Sequence, residues 1–146
     1  MENEDDEYRE ELRKTLEGIC WQYFFTFTTA YPLSLKACHT IMELYYKALE
    51  PYQTTLFWVA EAFPDREGYH VHGLLKVDGQ IKNVLVNGHT HYGKLWQNIS
   101  DVNRTGKIQR VCIEPYNSAR RAAEYLTKEI TTCSMNYDFR TSTKKV

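Results

Sequence analysis

The sequence has little of what marks membrane, secreted or repetitive proteins. No apolar run approaches the roughly 20 residues that span a bilayer, and the N-terminus is acidic, unlike a signal peptide. Glycine is scarce, at 7 of 146 residues, and neither an internal repeat nor a Walker P-loop occurs. The four cysteines show no CxxC spacing, which favours reduced thiols in an intracellular protein. We therefore expect one small soluble domain and no membrane partner.

Acidic residues are fewer than basic ones at the end of the chain, and the opposite holds at its start. The net charge of −1 hides this uneven distribution. Residues 1–17 hold eight acids and three bases, whereas residues 104–146 hold nine bases and four acids. A basic second half can bind polyanions, although this signal alone is weak.

Hydrophobic periodicity predicts alternating strands and helices along the chain. The predicted strands are Ile19–Thr28, Thr54–Ala62, Tyr69–Val77 and Lys107–Glu114, with a short strand at 84–86 as an uncertain addition. The predicted helices are Leu33–Glu50, capped by Ser34, and Ser118–Ile130, capped by Ser118, with a helix end at Gly93–Ile99.

These elements predict an α+β protein in which helices pack on one antiparallel sheet, as in ferredoxin-like (RRM-like) folds. Residues 1–17 form an acidic N-terminal segment, either a short amphipathic helix or a partly disordered tail. Residues 18–131 form the domain itself, and residues 132–146 are expected to be a loose polar tail.

The third predicted strand carries the first candidate site. Because side chains alternate on a strand, His70 and His72 point to the same side, while Val71 points to the other. A turn at 63–68 predicts a hairpin that brings Glu61 next to His70. A carboxylate beside two imidazoles suits Mg²⁺ or Mn²⁺ in a nucleotide enzyme, with Zn²⁺ as an alternative. Two histidines on a solvent-facing sheet remain the simpler explanation of an HxH taken alone.

The last predicted helix carries a tyrosine that cations flank. Tyr125 and Lys128 are three residues apart and share a helix face, and Arg121 lies four residues before Tyr125. Cations and a metal would favour the phenolate and neutralise a phosphate under attack. An ordinary tyrosine at the edge of the core is the alternative.

Two weaker candidates also deserve mention. The motif from His89 to His91 is a competing metal pair in a turn-rich stretch that has no acid nearby. Tyr31 lies at a strand end, where a nucleobase could stack on it.

Taken in order, these motifs resemble the HUH endonuclease superfamily, in the Rep branch that initiates rolling-circle replication. The first motif is the aromatic-threonine strand end Phe25–Pro32, the second is Glu61 with His70-Val71-His72, and the third is Tyr125-Leu126-Thr127-Lys128. The match spans residues 23–128, and the single tyrosine of the third motif suggests the single-nucleophile class.

The resemblance implies a nickase and joining enzyme for single-stranded DNA at an origin, often within a hairpin. Glu61, His70 and His72 would hold the metal, Tyr125 would form a 5′-phosphotyrosine, and Lys128 would help to neutralise charge. Arg120 and Arg121 would contact the DNA backbone, and Tyr31 a base. A helicase or host replication proteins would be further partners, in the cytoplasm of the host cell or in the nucleus of a eukaryotic host.

Other functions stay open at this stage. A single-tyrosine insertion-sequence transposase shares the same chemistry, and a non-catalytic single-strand-binding module could share the fold. A cupin-type zinc enzyme also combines HxH with a carboxylate, but there the carboxylate usually follows the HxH, and the chain lacks the glycine-punctuated short strands of a barrel. The chain is either a stand-alone small Rep or a nuclease domain of a longer protein.

Overall fold

The structure is a computed structural model that describes residues 3–50, 52–78, 91–100 and 110–142. The helices of the described chain are α1 Glu4–Glu17, α2 Leu35–Ala48, α3 His91–Ser100 and α4 Ala122–Thr127, with a 3₁₀ turn at Ser118–Arg120. Its strands are β1 Tyr23–Thr28, β2 Gln53–Ala62, β3 Tyr69–Asp78, β4 Arg110–Pro115 and β5 Tyr137–Thr141. The predicted short strand at 84–86 and residues 107–109 of the fourth strand lie outside the described residues.

The five described strands form one open sheet in the order β4-β1-β3-β2-β5, and every neighbouring pair is antiparallel. The predicted α+β class with one antiparallel sheet is therefore confirmed. The predicted hairpin of β2 and β3 is also confirmed, since these strands pair from Gln53 with Asp78 to Ala62 with Tyr69. The arrangement is compatible with a ferredoxin-like fold.

One face of the sheet, here named the aromatic face, is covered by α2 and α3. Its core joins alternate residues of the strands to the buried side of both helices. The largest members are Phe25, Phe27, Trp58, Tyr45, Tyr92 and Trp96. Their rings pack closely, because Phe27 stacks between Phe25 and Trp96 with ring centroids 4.3 Å and 4.5 Å away.

The opposite face, here named the site face, is covered by α1 and α4. Its core is smaller and mostly aliphatic, and it includes Leu16, Trp21, Phe57, Val59, Leu74, Ala122, Ala123, Leu126 and Ile130. The apolar stripe predicted on the last helix, Ala122, Leu126 and Ile130, is buried as expected. Because Val71 belongs to the aromatic face, strand alternation places His70 and His72 on the site face.

Gly73 directly follows this histidine pair, and its surroundings leave no room for a side chain. A Cβ atom on Gly73 would lie 2.2 Å from the Phe25 ring and 2.4 Å from the carbonyl oxygen of Phe57. Such contacts are far shorter than any van der Waals separation. Glycine at this position therefore lets the Phe25 ring lie against the centre of the sheet.

Local signals explain the long helices. Ser34 caps α2 as predicted, since its Oγ accepts a hydrogen bond from the backbone N–H of Ala37 at 3.0 Å. The acidic segment forms a helix that Asn3 caps. Acids occupy its first turn, where their negative charges interact favourably with the positive end of the helix dipole. Of the two alternatives for residues 1–17, the helix is thus the correct one for residues 4–17.

Three sequence expectations need correction. The first strand begins at Tyr23 rather than at Ile19. Residues 137–141 are not loose but form edge strand β5, because Tyr137 and Phe139 turn their rings toward Phe57 at 6.1 Å and 6.2 Å. The fragment predicted as a helix end is a full helix, α3, whose buried Tyr92 and Trp96 complete the aromatic face.

A fourth correction concerns the predicted helix Ser118–Ile130. Its cap is Asn117 rather than Ser118, with the side chain accepting a hydrogen bond from the N–H of Ala119. Arg121 then takes a left-handed conformation, with φ 52° and ψ 46°, which separates the 3₁₀ turn from α4. An isolated left-handed residue other than glycine is sterically unfavourable, and Arg121 adopts this conformation directly before α4.

Candidate metal and nucleophile site

The register of the β2–β3 hairpin gathers three potential metal ligands. Glu61 lies opposite His70, and His72 follows two residues along the same face of β3. One ligand atom from each residue lies within 4.8 Å of the other two. The structure therefore brings together Glu61, His70 and His72, as the sequence predicts.

His72 is held in a defined orientation. Its Nδ1 lies 2.9 Å from the hydroxyl of Thr26, which is its direct partner on β1, while its Nε2 lies 3.6 Å from Oε2 of Glu61. With the proton on Nδ1, the ring donates to Thr26 and presents the lone pair of Nε2 toward Glu61. A second-shell hydrogen bond of this kind fixes the tautomer of metal-binding histidines in general.

Both imidazoles are kept neutral by their surroundings. Burial, aided by the nearby His70, lowers the pKa of His72 to about 4. Burial also lowers the pKa of His70, an effect that Arg66 reinforces and Glu61 opposes. A neutral ring is the form that ligates a metal, so both histidines are ready to bind without losing a proton.

His70 has a further feature that fits a ligand. Its Nδ1 is buried and has no hydrogen-bond partner among the described residues. The ring packs perpendicular to His72 at 4.4 Å between centroids and lies 4.6 Å from Phe63, whose other contact is the guanidinium of Arg66 at 3.9 Å. Buried polar atoms normally have a partner, so the unpaired nitrogen fits a site whose partner is a metal ion.

Tyr125 reaches the same place from α4. Its hydroxyl donates to Oε2 of Glu61 at 3.4 Å, and its ring stands edge-on to His72 with centroids 6.4 Å apart. The side chain is 43% exposed, so a polymer can approach it. Lys128 lies over the ring, with Nζ 4.3 Å from the centroid, which confirms that these two residues share one face.

The protein groups alone do not activate this phenol. Burial first, and then the charge of Glu61, raise the pKa of Tyr125 above its ordinary value. This direction is opposite to the one needed for a phenolate. A cation shared by Glu61 and the histidines would cancel the charge that opposes ionisation, so the chemistry of Tyr125 depends on filling the ligand cluster.

The side chains of the two candidate DNA-binding arginines, Arg120 and Arg121, line different grooves. Arg120 lies 3.6 Å from Glu114 beside Tyr125, whereas Arg121 lies 3.7 Å from Glu124 and lines a separate groove with Glu17. The expectation that Arg121 shares a helix face with Tyr125 is wrong, because the left-handed Arg121 stands before the first turn of α4.

Tyr31 is not part of this ligand cluster. Tyr31 is half-buried, donates a hydrogen bond to the carbonyl oxygen of Ser100, and lines a cleft with Phe63 and Arg66. The competing pair at His89 and His91 lies outside the described side chains.

Sequence reasoning named Thr26 only as part of a motif and did not single out Phe63, Arg66 or Glu114. Their roles depend on which strands are neighbours: Thr26 faces His72 only because β1 lies next to β3. A pattern of threonine alternating with phenylalanine indicates a strand, but it does not say which strand pairs with it.

Comparison of the chain with known protein families, with curated proteins and with solved structures gave no match. In the part of the chain that the structure describes, no helix has both the length and the apolar character to cross a membrane.

Proposed function

We propose that this protein is a metal-dependent endonuclease that nicks and rejoins single-stranded DNA through a covalent 5′-phosphotyrosine. The observation that supports it most directly is the 3.4 Å contact between the Tyr125 hydroxyl and Glu61, within a cluster that also holds His70 and His72. A nucleophile, a cationic side chain and an open set of N/O ligands then share one exposed surface.

The fold supports the same assignment. The element order β1-α2-β2-β3-α3-β4 with the strand order β4-β1-β3-β2 is compatible with the ferredoxin-like βαββαβ pattern, with α1, α4 and β5 in addition. The resemblance to Rep-type HUH endonucleases implies a fold of this kind, with the tyrosine motif on a helix.

The residues of the chain divide the reaction among them. Tyr125 attacks the scissile phosphorus and loses its proton, the P–O3′ bond breaks, and the 3′ oxygen takes up a proton to become a free hydroxyl. Lys128 stabilises negative charge beside the phenol, and Thr26 holds His72 in the ligating tautomer. Bound Mg²⁺ or Mn²⁺ would supply Lewis-acid polarisation of the phosphate. The covalent bond keeps the energy of the cleaved ester, so the same 3′ hydroxyl can reverse the step.

We assign the reaction to the initiation of rolling-circle replication of a virus, phage or plasmid, because the tyrosine motif follows HxH, as in Rep proteins. A single-tyrosine transposase would use the same residues on transposon-end hairpins. The DNA that is cut, rather than the site, separates these two functions.

The test is incubation with labelled single-stranded DNA and Mn²⁺, followed by denaturing electrophoresis. The wild type should give a protein-linked band, which Tyr125→Phe should abolish while leaving DNA affinity and thermal stability nearly unchanged. Tyr23→Phe is the matched control, because Tyr23 packs against Tyr92 on the aromatic face and its change should keep the adduct.

Mass spectrometry of the digested adduct should place the nucleotide on the peptide that contains Tyr125. Adduct on another tyrosine would reassign the nucleophile. Binding without any adduct at any metal concentration would make the protein a single-strand-binding module instead.

A further inference from the structure

A second cleft adjoins Tyr125 and is not used by the chemistry described above. Its volume is about 150 Å³, and its lining includes Phe24, Glu114, Tyr116 and Arg120. Tyr125 also lines the larger cleft that holds Glu61 and Lys128. A strand whose phosphate lies at the Tyr125 hydroxyl therefore passes directly beside the smaller cleft.

The sheet fixes the position of this cleft relative to the ligand cluster. Phe24 of β1 pairs with Glu114 of β4. Phe24 lies on the same face of the sheet as Thr26, two residues before it along β1. The Phe24 ring also lies 6.2 Å from the ring of His72. The floor of the cleft is thus rigidly tied to the strand that orients a metal ligand.

The size and the aromatic lining of the cleft suit one flat ring. A cavity of about 150 Å³ is what benzene fills in an engineered protein core. Phe24 and Tyr116 supply aromatic surface, on which nucleobases stack irrespective of sequence. The cleft is therefore large enough to hold one nucleobase.

The polar group that reads the base is Glu114. Its carboxylate is 44% exposed and lies 3.6 Å from Arg120, a loose pair that leaves acceptor capacity. Asn117, a further polar side chain of the lining, already accepts a hydrogen bond from the N–H of Ala119. A carboxylate accepts from the exocyclic amine of cytosine but has no donor for the O4 of thymine.

We infer that the cleft formed by Phe24, Tyr116 and Glu114 binds one nucleobase next to the scissile phosphate, and that Glu114 selects a base with an exocyclic amine, such as cytosine, over thymine. This inference rests on the proposed nicking activity. It adds a sequence-reading position that lies on β4 and the following loop, away from the metal ligands. Arg120 offsets the charge of Glu114 and so keeps the cleft from repelling the DNA backbone.

The experiment uses single-stranded oligonucleotide pools that are randomised around a cleaved site, with the full chain and Mn²⁺. Sequencing of the adduct-forming strands should show cytosine favoured over thymine by about tenfold at one nucleotide flanking the cut. Glu114→Gln, which can donate to thymine, should shift the preference at that nucleotide toward thymine and leave every other position unchanged.

Two further variants keep the test decisive. Glu124→Gln makes the same chemical change on an exposed residue outside the cleft, and should leave the profile unchanged. Phe24→Leu removes the aromatic floor and should weaken the base preference at the same nucleotide. Selection of bound strands by the non-cleaving Tyr125→Phe variant should give the same preference, which separates base reading from catalysis.

The outcomes are distinguishable. Absence of adduct from every wild-type pool would overturn the proposed function, and the inference with it. Adduct without base preference at either flanking nucleotide, or a cytosine preference that survives in a folded Glu114→Gln variant, would overturn the base site alone.

Discussion

The two faces of the sheet use the same strands for different purposes. On β1, Phe25 and Phe27 are fully buried in the aromatic face, whereas Phe24 and Thr26 line the site face and are only partly buried. The aromatic face is closed by two helices of 14 and 10 residues, while the last helix on the site face has only six. A short helix that begins late leaves part of the sheet uncovered.

This difference separates stability from chemistry. The aromatic face buries large rings against each other, so substitutions there should change the free energy of unfolding. Beside its smaller core, the site face holds two partly buried histidines, an exposed tyrosine and a half-exposed carboxylate. Substitutions there should change binding and reaction, and the comparison can be tested by matched variants on the two faces.

The largest expected effect is on the aromatic face. Phe27→Ala removes a fully buried ring that contacts Phe25, Trp96 and Tyr45, and should lower the free energy of unfolding by about 3–5 kcal/mol. Urea denaturation measures it. Phe24→Ala is the matched change on the site face and should cost clearly less, because this ring is only partly buried. Equal losses would show that the two faces do not differ in this way.

The next effect is on metal binding. His70→Ala or His72→Ala removes one of three ligands and should weaken Mn²⁺ binding by at least about a hundredfold, more than the loss of a second-shell partner costs. Isothermal titration calorimetry measures the affinity. His39→Ala is the control, since His39 packs on Trp58 of the aromatic face. Unchanged Mn²⁺ affinity in a double His70→Ala, His72→Ala variant would move the metal elsewhere, with His89 and His91 to be tested first.

The third effect is acid sensitivity of the metal-free protein. The pKa of His72 is about 4 in the folded chain, against an ordinary value near 6.5, so the unfolded state binds the proton first as pH falls. The folded state should therefore lose stability between pH 6.5 and 4, on the order of 2 kcal/mol from this residue. Urea denaturation in the presence of a chelator, at pH 7 and at pH 4.5, compares the wild type with His72→Gln. An identical pH dependence of the two proteins would contradict the shift.

The smallest effect concerns the salt dependence of DNA binding. If Arg120 contacts one phosphate, Arg120→Gln should flatten the slope of log K against log salt by about 0.7. Arg121→Gln should flatten it less, because Arg121 lines a groove away from Tyr125. Lys47→Gln should leave the slope unchanged, because Lys47 is exposed on α2, the helix that covers the opposite, aromatic face. Fluorescence anisotropy at several salt concentrations gives the slopes, and an unchanged slope for Arg120→Gln would remove this contact from the interface.

Sequence patterns predicted most of the site because its residues follow local rules. The spacing of His70 and His72 puts both rings on one face of a strand, and the turn at 63–68 makes a hairpin that joins Glu61 to them. The spacing of Tyr125 and Lys128 likewise places the cation over the phenol. Each of these relations spans few residues, so secondary structure alone determines it.

Other features depend on contacts between distant parts of the chain. The left-handed Arg121 interrupts a segment whose composition favours an unbroken helix, so that α4 begins only at Ala122. Strand β5 lies in a polar segment. It forms because Tyr137 and Phe139 contact the Phe57 ring and the segment pairs with the edge of β2. Neither the left-handed Arg121 nor strand β5 has a local pattern strong enough to be predicted from the sequence.

Local patterns in the sequence are thus enough to predict the class of fold, the hairpin that carries the three proposed ligands, and the tyrosine with its lysine. Three other features follow from the folded chain alone: the contact of Thr26 with His72, the contact of Tyr125 with Glu61, and the cleft that Glu114 and Phe24 form beside it. The cause is strand order: the face that a side chain occupies follows from a period of two residues, but its neighbours across the sheet depend on pairing between strands far apart in the chain.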